Sequence, residues 1–231
     1  MRRSLTSLVM VIAISAPALA ETPADQEILG FRLGQSAPEL AEARNLQDLL
    51  GKEIAREMTG LMVVEQPNPR YQIELKDSRR LTLWFDASRE ERPIYWIEMV
   101  QSYDPPPVPT DAYERMTQDL GGPPDFKIGG PTGAPLGVLL IKINPTLPSE
   151  QITAIKQHIS AVVAKRPKEL GAQDDPFIEP GGTLQSWLDI LGDNFRGKLV
   201  SIDTMSNRID GTVTVLIDTA AARRAQLTAA Q

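Results

Sequence analysis

"YQIELKDSRRLTLWFDASREERPIYWIEMV", Tyr71 to Val100, decides the fold. Tyr71, Ile73 and Leu75 alternate on one face, and Leu81, Leu83 and Phe85 repeat the pattern after the polar turn "KDSRR". Period-two alternation around a short polar turn is the signature of a β-hairpin. "DASREERP" then leads to "PIYWIEMV", which is predicted to place Tyr95, Ile97 and Met99 on one face and Ile94 and Trp96 on the other. Three such runs joined by short polar links make an antiparallel meander. "MVVEQ", Met62 to Gln66, would add a strand before it.

Upstream, "ILGFRLGQSAPEL" (Ile28 to Leu40) is a strand-like lead into a helix. Ser36, with an acidic residue at Glu39 and Pro38 in the first turn, fits a capping box. Leu40, Ala43, Leu46, Leu49 and Leu50 follow near helical spacing, so a helix is expected over 37–50. Gly30 and Gly34 read as turn glycines. Downstream, "DPPPVPT" breaks the sheet at Asp104, and Thr110 is expected to cap a helix carrying Tyr113, Met116 and Leu120. The next segment, to Pro135, is Gly/Pro-rich and reads as a loop or linker. "LGVLLIKIN" reads as a buried strand. Ser149 starts a helix with Ile152, Ile155, Ile159 and Val162 on one stripe. Thr183 caps another with Leu184, Trp187, Leu188 and Leu191, and Gly192 follows as its stop. "KLVSIDTM" and "GTVTVLID" form a last hairpin, and Asp218 or Thr219 caps an Ala-rich final helix.

This order predicts an α+β fold, an antiparallel sheet with helices packed on one face. The boundaries are 1–20, a signal peptide; 21–124, a helix-plus-meander unit; 125–135, a linker; and 136–231, a second α+β unit. The two units either stand apart or pack as one domain.

The first twenty residues carry Arg2 and Arg3, an apolar run from Leu8 to Ile14, and the small-x-small site Ala18-Leu19-Ala20. That is the pattern of a secretory signal, with the mature chain starting at Glu21 and the protein in the periplasm or secreted. No later apolar stretch has the about 20 residues a membrane span needs. The chain has no cysteine, so its stability rests on its core. Without Arg2 and Arg3 the 24 basic residues become 22, against 30 acidic, a formal charge of −8. Such a chain repels phosphate backbones, which argues against nucleic acid as a partner.

"ILGFRLGQS" and "DAYERMTQDLGGPP" resemble a group of uncharacterised proteobacterial periplasmic proteins. Those open with a glycine–apolar–glycine lead into a helix, continue as a meander and close on a helix with a "KYGPP"-like turn. Here "DLGGPP" stands at that turn, without its Lys and Tyr. The element order is also similar to the small fold of outer-membrane assembly lipoproteins and β-lactamase inhibitor proteins. The resemblance covers Ile28 to Pro124, consists of turn chemistry, and carries over no functional residue.

Chemistry is sparse. His158 is the one histidine, so no His-based metal site or Cys–His pair exists, and it reads as a helix-flank residue. "DTMSNRIDG" has Asp203, Asn207 and Asp210, but Met205 and Ile209 occupy places where a calcium loop needs oxygen. "GGPTGAPLG" lacks the Lys of a phosphate loop. Glu90 with Glu91, Asp104, Asp174 with Asp175, and Asp189 with Asp193 are the carboxylates available for acid–base work, and spacing does not choose among them. No catalytic, cofactor-binding or metal residue is assigned. Trp84 and Trp96 oppose the apolar faces of their strands; they either fill a second core covered by the C-terminal half or form a partner surface. The leading expectation is a non-catalytic interaction module that binds another envelope protein. The rival is a small-molecule or lipid binder with a pocket between sheet and helices, and the third is a carboxylate-based hydrolase.

Overall fold

The computed structural model describes residues 27–37, 52–65, 69–129, 138–165, 184–205 and 208–229. The expected signal peptide, nearly all of the helix over 37–50, residues 130–135, Asp174, Asp175 and the cap at Thr183 lie outside them.

Eight antiparallel strands form one sheet: β1 (Met58–Val64), β2 (Arg70–Leu75), β3 (Arg79–Phe85), β4 (Ile94–Ser102), β5 (Phe126–Gly129), β6 (Val138–Ile143), β7 (Arg196–Met205) and β8 (Arg208–Asp218). Their order is β1-β2-β3-β4-β8-β7-β6-β5. The meander forms as the alternation predicts, with Ile73 opposite Leu81 and Leu81 opposite Met99. The last strand of the meander pairs with the last strand of the chain, Met99 opposite Thr214, so strands of both expected units share one sheet. The helices are α1 (Lys52–Glu57), α2 (Pro109–Leu120), α3 (Ser149–Ala164), α4 (Leu184–Leu191) and α5 (Thr219–Ala229). The α+β class therefore holds.

The helices do not share one face. On the first face, α3, α4 and α5 cover the half formed by β4, β8, β7 and β6. Ile155, Ile159, Leu188, Leu191 and Ala222 bury against Leu139, Ile141, Leu199, Val213, Val215 and Ile217. On the opposite face, α2 seats Ala112, Met116 and Leu120 on Val138, Leu140, Val200 and Ile202. That same opposite face, at the β2–β4 end, is covered by Ile28, Phe31, Leu33 and Ala37 of the N-terminal lead and by Ile54 of α1. A sheet whose central strands are apolar on both sides must be covered on both sides. β8 shows this directly, with Val213, Val215 and Ile217 in one core and Leu216 in the other.

Local differences have local causes. The lead 28–37 is not a strand: Ile28 bridges to Phe31 across a tight turn, and Ser36 bridges to Pro93. β5 forms at the start of the segment read as a linker, where Phe126 to Gly129 pair with β6 at the sheet edge. α2 begins at Pro109 rather than behind Thr110, because proline suits a first helical position, where no N–H is needed. It ends as expected at Gly121, in the left-handed conformation with φ 80°. Asp218 caps α5, its Oδ1 accepting the Ala221 N–H at 2.8 Å.

The largest departure is a β-bulge. Leu83 lies opposite Ile97 and Trp84 opposite Trp96, but Phe85 pairs with Ile94, leaving Tyr95 as the extra residue. Ile94 consequently joins the core of Phe85 and Leu83, while Tyr95 joins Trp96 under the C-terminal helices. The two residues have exchanged the faces that strict alternation predicts, which is what one inserted residue does to a strand. Burial lifts the Tyr95 hydroxyl to about 12, with Asp86 adding to the rise and Arg70 opposing it.

Glu98 lies on the first face opposite Thr82 and Val215. Burial raises its carboxyl above the ordinary range, with Arg80 opposing the shift. The folded protein thus holds this proton more tightly than the unfolded chain. Its stabilising contribution is present at acid pH and is lost as pH rises from the ordinary carboxyl value through the raised one. Glu98→Gln is expected to raise the midpoint of urea unfolding at pH 7.5 and to raise it less at pH 4. Equal gains at both pH values would contradict a strained carboxylate.

Candidate functional site

The two coverings of the second face do not meet. α2 lies over β6, β7 and β8, and the N-terminal lead lies over the meander and reaches Leu216 of β8. Where they approach each other over β4 and β8, a cleft of about 520 Å³ remains between them. Its floor is Met99 and Gln101 of β4, Lys198 of β7, and Thr212 and Thr214 of β8. Its walls are Glu27, Ile28 and Leu29 of the lead and Arg115, Gln118 and Asp119 of α2. Arg79 and Tyr103 complete its lining.

The floor is polar because of strand alternation. In "GTVTVLID" the valines Val213 and Val215 enter the core under α3–α5, which turns Thr212 and Thr214 to the other face. Both threonines are buried, at 1% and 7% exposure. The Tyr103 hydroxyl and Thr212 Oγ1 share a hydrogen bond of 3.1 Å. Arg115 stacks over the Tyr103 ring, its guanidinium carbon 5.0 Å from the centroid. Lys198, 6% exposed, donates from Nζ to the Glu27 carbonyl at 3.2 Å.

Two of the charges lining the cleft are satisfied by ion pairs outside it. The Glu27 carboxylate accepts two bonds from Arg32, at 3.0 and 2.9 Å, and Arg79 is paired with Glu57. Asp119 is partly exposed, but its surroundings still raise its carboxyl above the ordinary value. Burial is the main cause, and Lys198 and then Arg115 pull it back down. Arg115 and Asp119 stand four residues apart on one side of α2, so helical geometry presents both to the same space.

The residues singled out from sequence fall elsewhere. Trp84 and Trp96 lie directly opposite each other on the first face, ring centroids 4.8 Å apart. Trp96 is 6% exposed in the core beneath the C-terminal helices, and Trp84 is half-buried against that core. Of the two placements that alternation leaves open, a second core or a partner surface, Trp96 takes the first, and Trp84 packs against it. The Trp96 indole N–H is buried and has no hydrogen-bond partner among the described residues.

His158 is exposed on α3, Nε2 3.3 Å from the Asp189 carbonyl oxygen, beside a groove between α3 and α4 of about 670 Å³. Asp189 and Asp193 line that groove, and Asp193 is ion-paired with Arg223. Glu90 and Glu91 stand exposed in the β3–β4 turn, with Glu91 3.5 Å from Arg89, and Asp104 is exposed after β4. Asp203 and Asp210 lie in β7 and β8. Among the described residues no group of three or more acidic or histidine side chains is placed to hold a metal ion. Among them, too, no helix is long and apolar enough to cross a membrane.

Sequence reading missed the cleft residues. A signal was present in the threonine alternation of β8 and in the Arg115–Asp119 spacing, but neither says that the two elements face each other. Compared with known proteins, the chain matches no family, no curated protein and no solved structure.

Proposed function

We propose that this chain is an exported, non-catalytic binding protein that takes a small polar molecule in the cleft between the sheet and α2. The observation that carries the reading is the cleft of about 520 Å³ beside α2, whose floor of Thr212, Thr214 and Lys198 is polar in an otherwise apolar sheet face. A concave site of several hundred Å³ with a few converging polar groups is how proteins hold small ligands. The apolar pocket that a lipid would need is not supported by this lining. Export rests on the Arg2-Arg3, Leu8–Ile14 and Ala18–Ala20 pattern alone.

A second reading, docking of another envelope protein, is favoured by β1. This edge strand is paired on one side, by β2, and carries Met62 and Val63 at 50% and 48% exposure. Exposed apolar edge strands invite strand addition.

Native mass spectrometry of the protein recovered from the envelope of cells that make it tests these readings together. The expected spectrum shows a chain starting at Glu21 with a small-molecule adduct. Gln118→Trp, which fills the cleft from an exposed wall position, and Thr214→Leu, which narrows its floor, should each lose most of that adduct while keeping the native circular dichroism. A wild type without adduct, or variants that retain it, would overturn the cleft reading. A protein-sized adduct in its place would favour the β1 edge.

A further inference from the structure

We infer that the cleft takes a free α-amino acid with an aliphatic side chain, its carboxylate on Arg115, its ammonium on Asp119 and its side chain against Leu29. The inference rests on the cleft being the binding site and adds the chemical class of what enters it. Most charges in the lining are already engaged. Arg79 pairs with Glu57, and Glu27 with Arg32. Lys198 has partners, the Glu27 carbonyl among them, and belongs to the floor. The side chains of Arg115 and Asp119, which face the same space, make no hydrogen bond or ion pair with a described residue.

The Arg115 plane is held by the Tyr103 ring, which Thr212 anchors in turn. A guanidinium oriented by stacking presents its fork of donors to the two oxygens of a carboxylate. Asp119 has no such support. It stands in the last turn of α2, where the helix dipole disfavours a carboxylate, and that turn holds no basic residue. Burial raises its carboxyl, with Lys198 and then Arg115 opposing the shift. A carboxylate so placed costs the folded chain stability, and an ammonium brought beside it offsets that cost. A simple anion would gain at Arg115 and lose at Asp119, and a simple cation the reverse. A molecule that carries both charges at one end gains at both.

The wall formed by the N-terminal lead supplies the third contact. Leu29 is 40% exposed and sits at φ 49°, in the left-handed region where a Cβ crowds the following carbonyl. It occupies the tight turn closed by Ile28 and Phe31, whose backbones exchange two hydrogen bonds of 3.0 Å. Asparagine or glycine suits such a position. The leucine is strained there, belongs to none of the cores, and shows its apolar surface to the cleft. Strain and exposure at one residue, with no packing in return, point to a bound molecule that covers it. Met99 adds a second apolar residue to the lining.

The test is calorimetric titration of the mature chain with L-leucine, beside comparators that each lack one element. Glycine lacks the side chain, 4-methylpentanoate the ammonium and 3-methylbutylamine the carboxylate. Leucine should bind about tenfold or more tightly than each, the scale of one lost charge-assisted pair or one uncovered apolar group. Arg115→Gln should erase the preference over 3-methylbutylamine, and Asp119→Asn the preference over 4-methylpentanoate. Leu29→Gly should unfold at no lower a urea concentration than the wild type, because glycine relieves the turn, and yet bind leucine no more tightly than it binds glycine. Leucine that binds no better than any one comparator, an Arg115→Gln or Asp119→Asn variant that keeps its preference, or a Leu29→Gly variant that is less stable or of unchanged affinity would each overturn the inference. If the native mass spectrum shows a small-molecule adduct while leucine fails here, the cleft reading survives and the amino-acid class does not. If no adduct is found there either, both fall.

Discussion

Trp96→Ala is expected to cost about 3–5 kcal/mol of folding stability, the range for removing a large aromatic from a core. Trp96 is 6% exposed and stands in a row between Trp84 and Ile217, beneath the C-terminal helices. Truncation would remove the stacking partner of Trp84 and leave a cavity that rigid neighbours on a paired sheet cannot collapse into. The unpartnered indole N–H lowers the net value of the native residue somewhat, since a buried donor without an acceptor costs free energy. Trp84→Ala should cost less, because Trp84 is only half-buried. Urea unfolding of both variants measures this, read as a midpoint shift at constant slope. A Trp96→Ala loss below about 1 kcal/mol, the range of ordinary surface substitutions, would mean that the helices do not cover this face in solution.

The second large effect is expected at Gly211, where β4 and β8 join the two halves of the sheet. Gly211 lies opposite Ser102 on one side and Asp203 on the other. A Cβ built there would sit 2.3 Å from the Gln101 carbonyl oxygen and 3.2 Å from its carbon. Both are backbone atoms in a paired strand, so neither can rotate away, and the strands must part. Gly211→Ala should lose about 3 kcal/mol, the upper part of the usual overpacking range. Amide exchange at Gln101 to Tyr103 should speed up with it, because the loss is local to that junction. Gly60→Ala is the matched control: its Cβ would meet Glu74 at an ordinary 3.6 Å, and the change should stay within about 1 kcal/mol. Equal losses at both positions would contradict the close approach at the β4–β8 seam.

Much of this architecture is written locally. Residues 71–85 declare a hairpin because period-two alternation and a polar turn are properties of neighbours in the chain. The stripes on Ser149–Ala164 and Leu184–Leu191, and the stop at Gly192 with φ 78°, are local for the same reason. What alternation cannot register is one extra residue. The bulge that sends Tyr95 and Ile94 to opposite cores forms only when β3 and β4 meet. β5 escaped because four residues beside glycines and prolines carry no period of their own; their strand character comes from pairing with β6.

The side on which each helix lands was decided by tertiary structure alone. An apolar stripe on α2 says that the helix must bury a face, not which of two apolar sheet faces receives it. The cleft is the consequence. Its residues run from Glu27 to Thr214, and they become neighbours only because α2 and the N-terminal lead cover the two ends of one sheet face and leave a cleft between them. Strand and helix are set by residues a few positions apart, so the sequence by itself determines them. A site made from a gap between two coverings depends on contacts across most of the chain, and no local pattern encodes it.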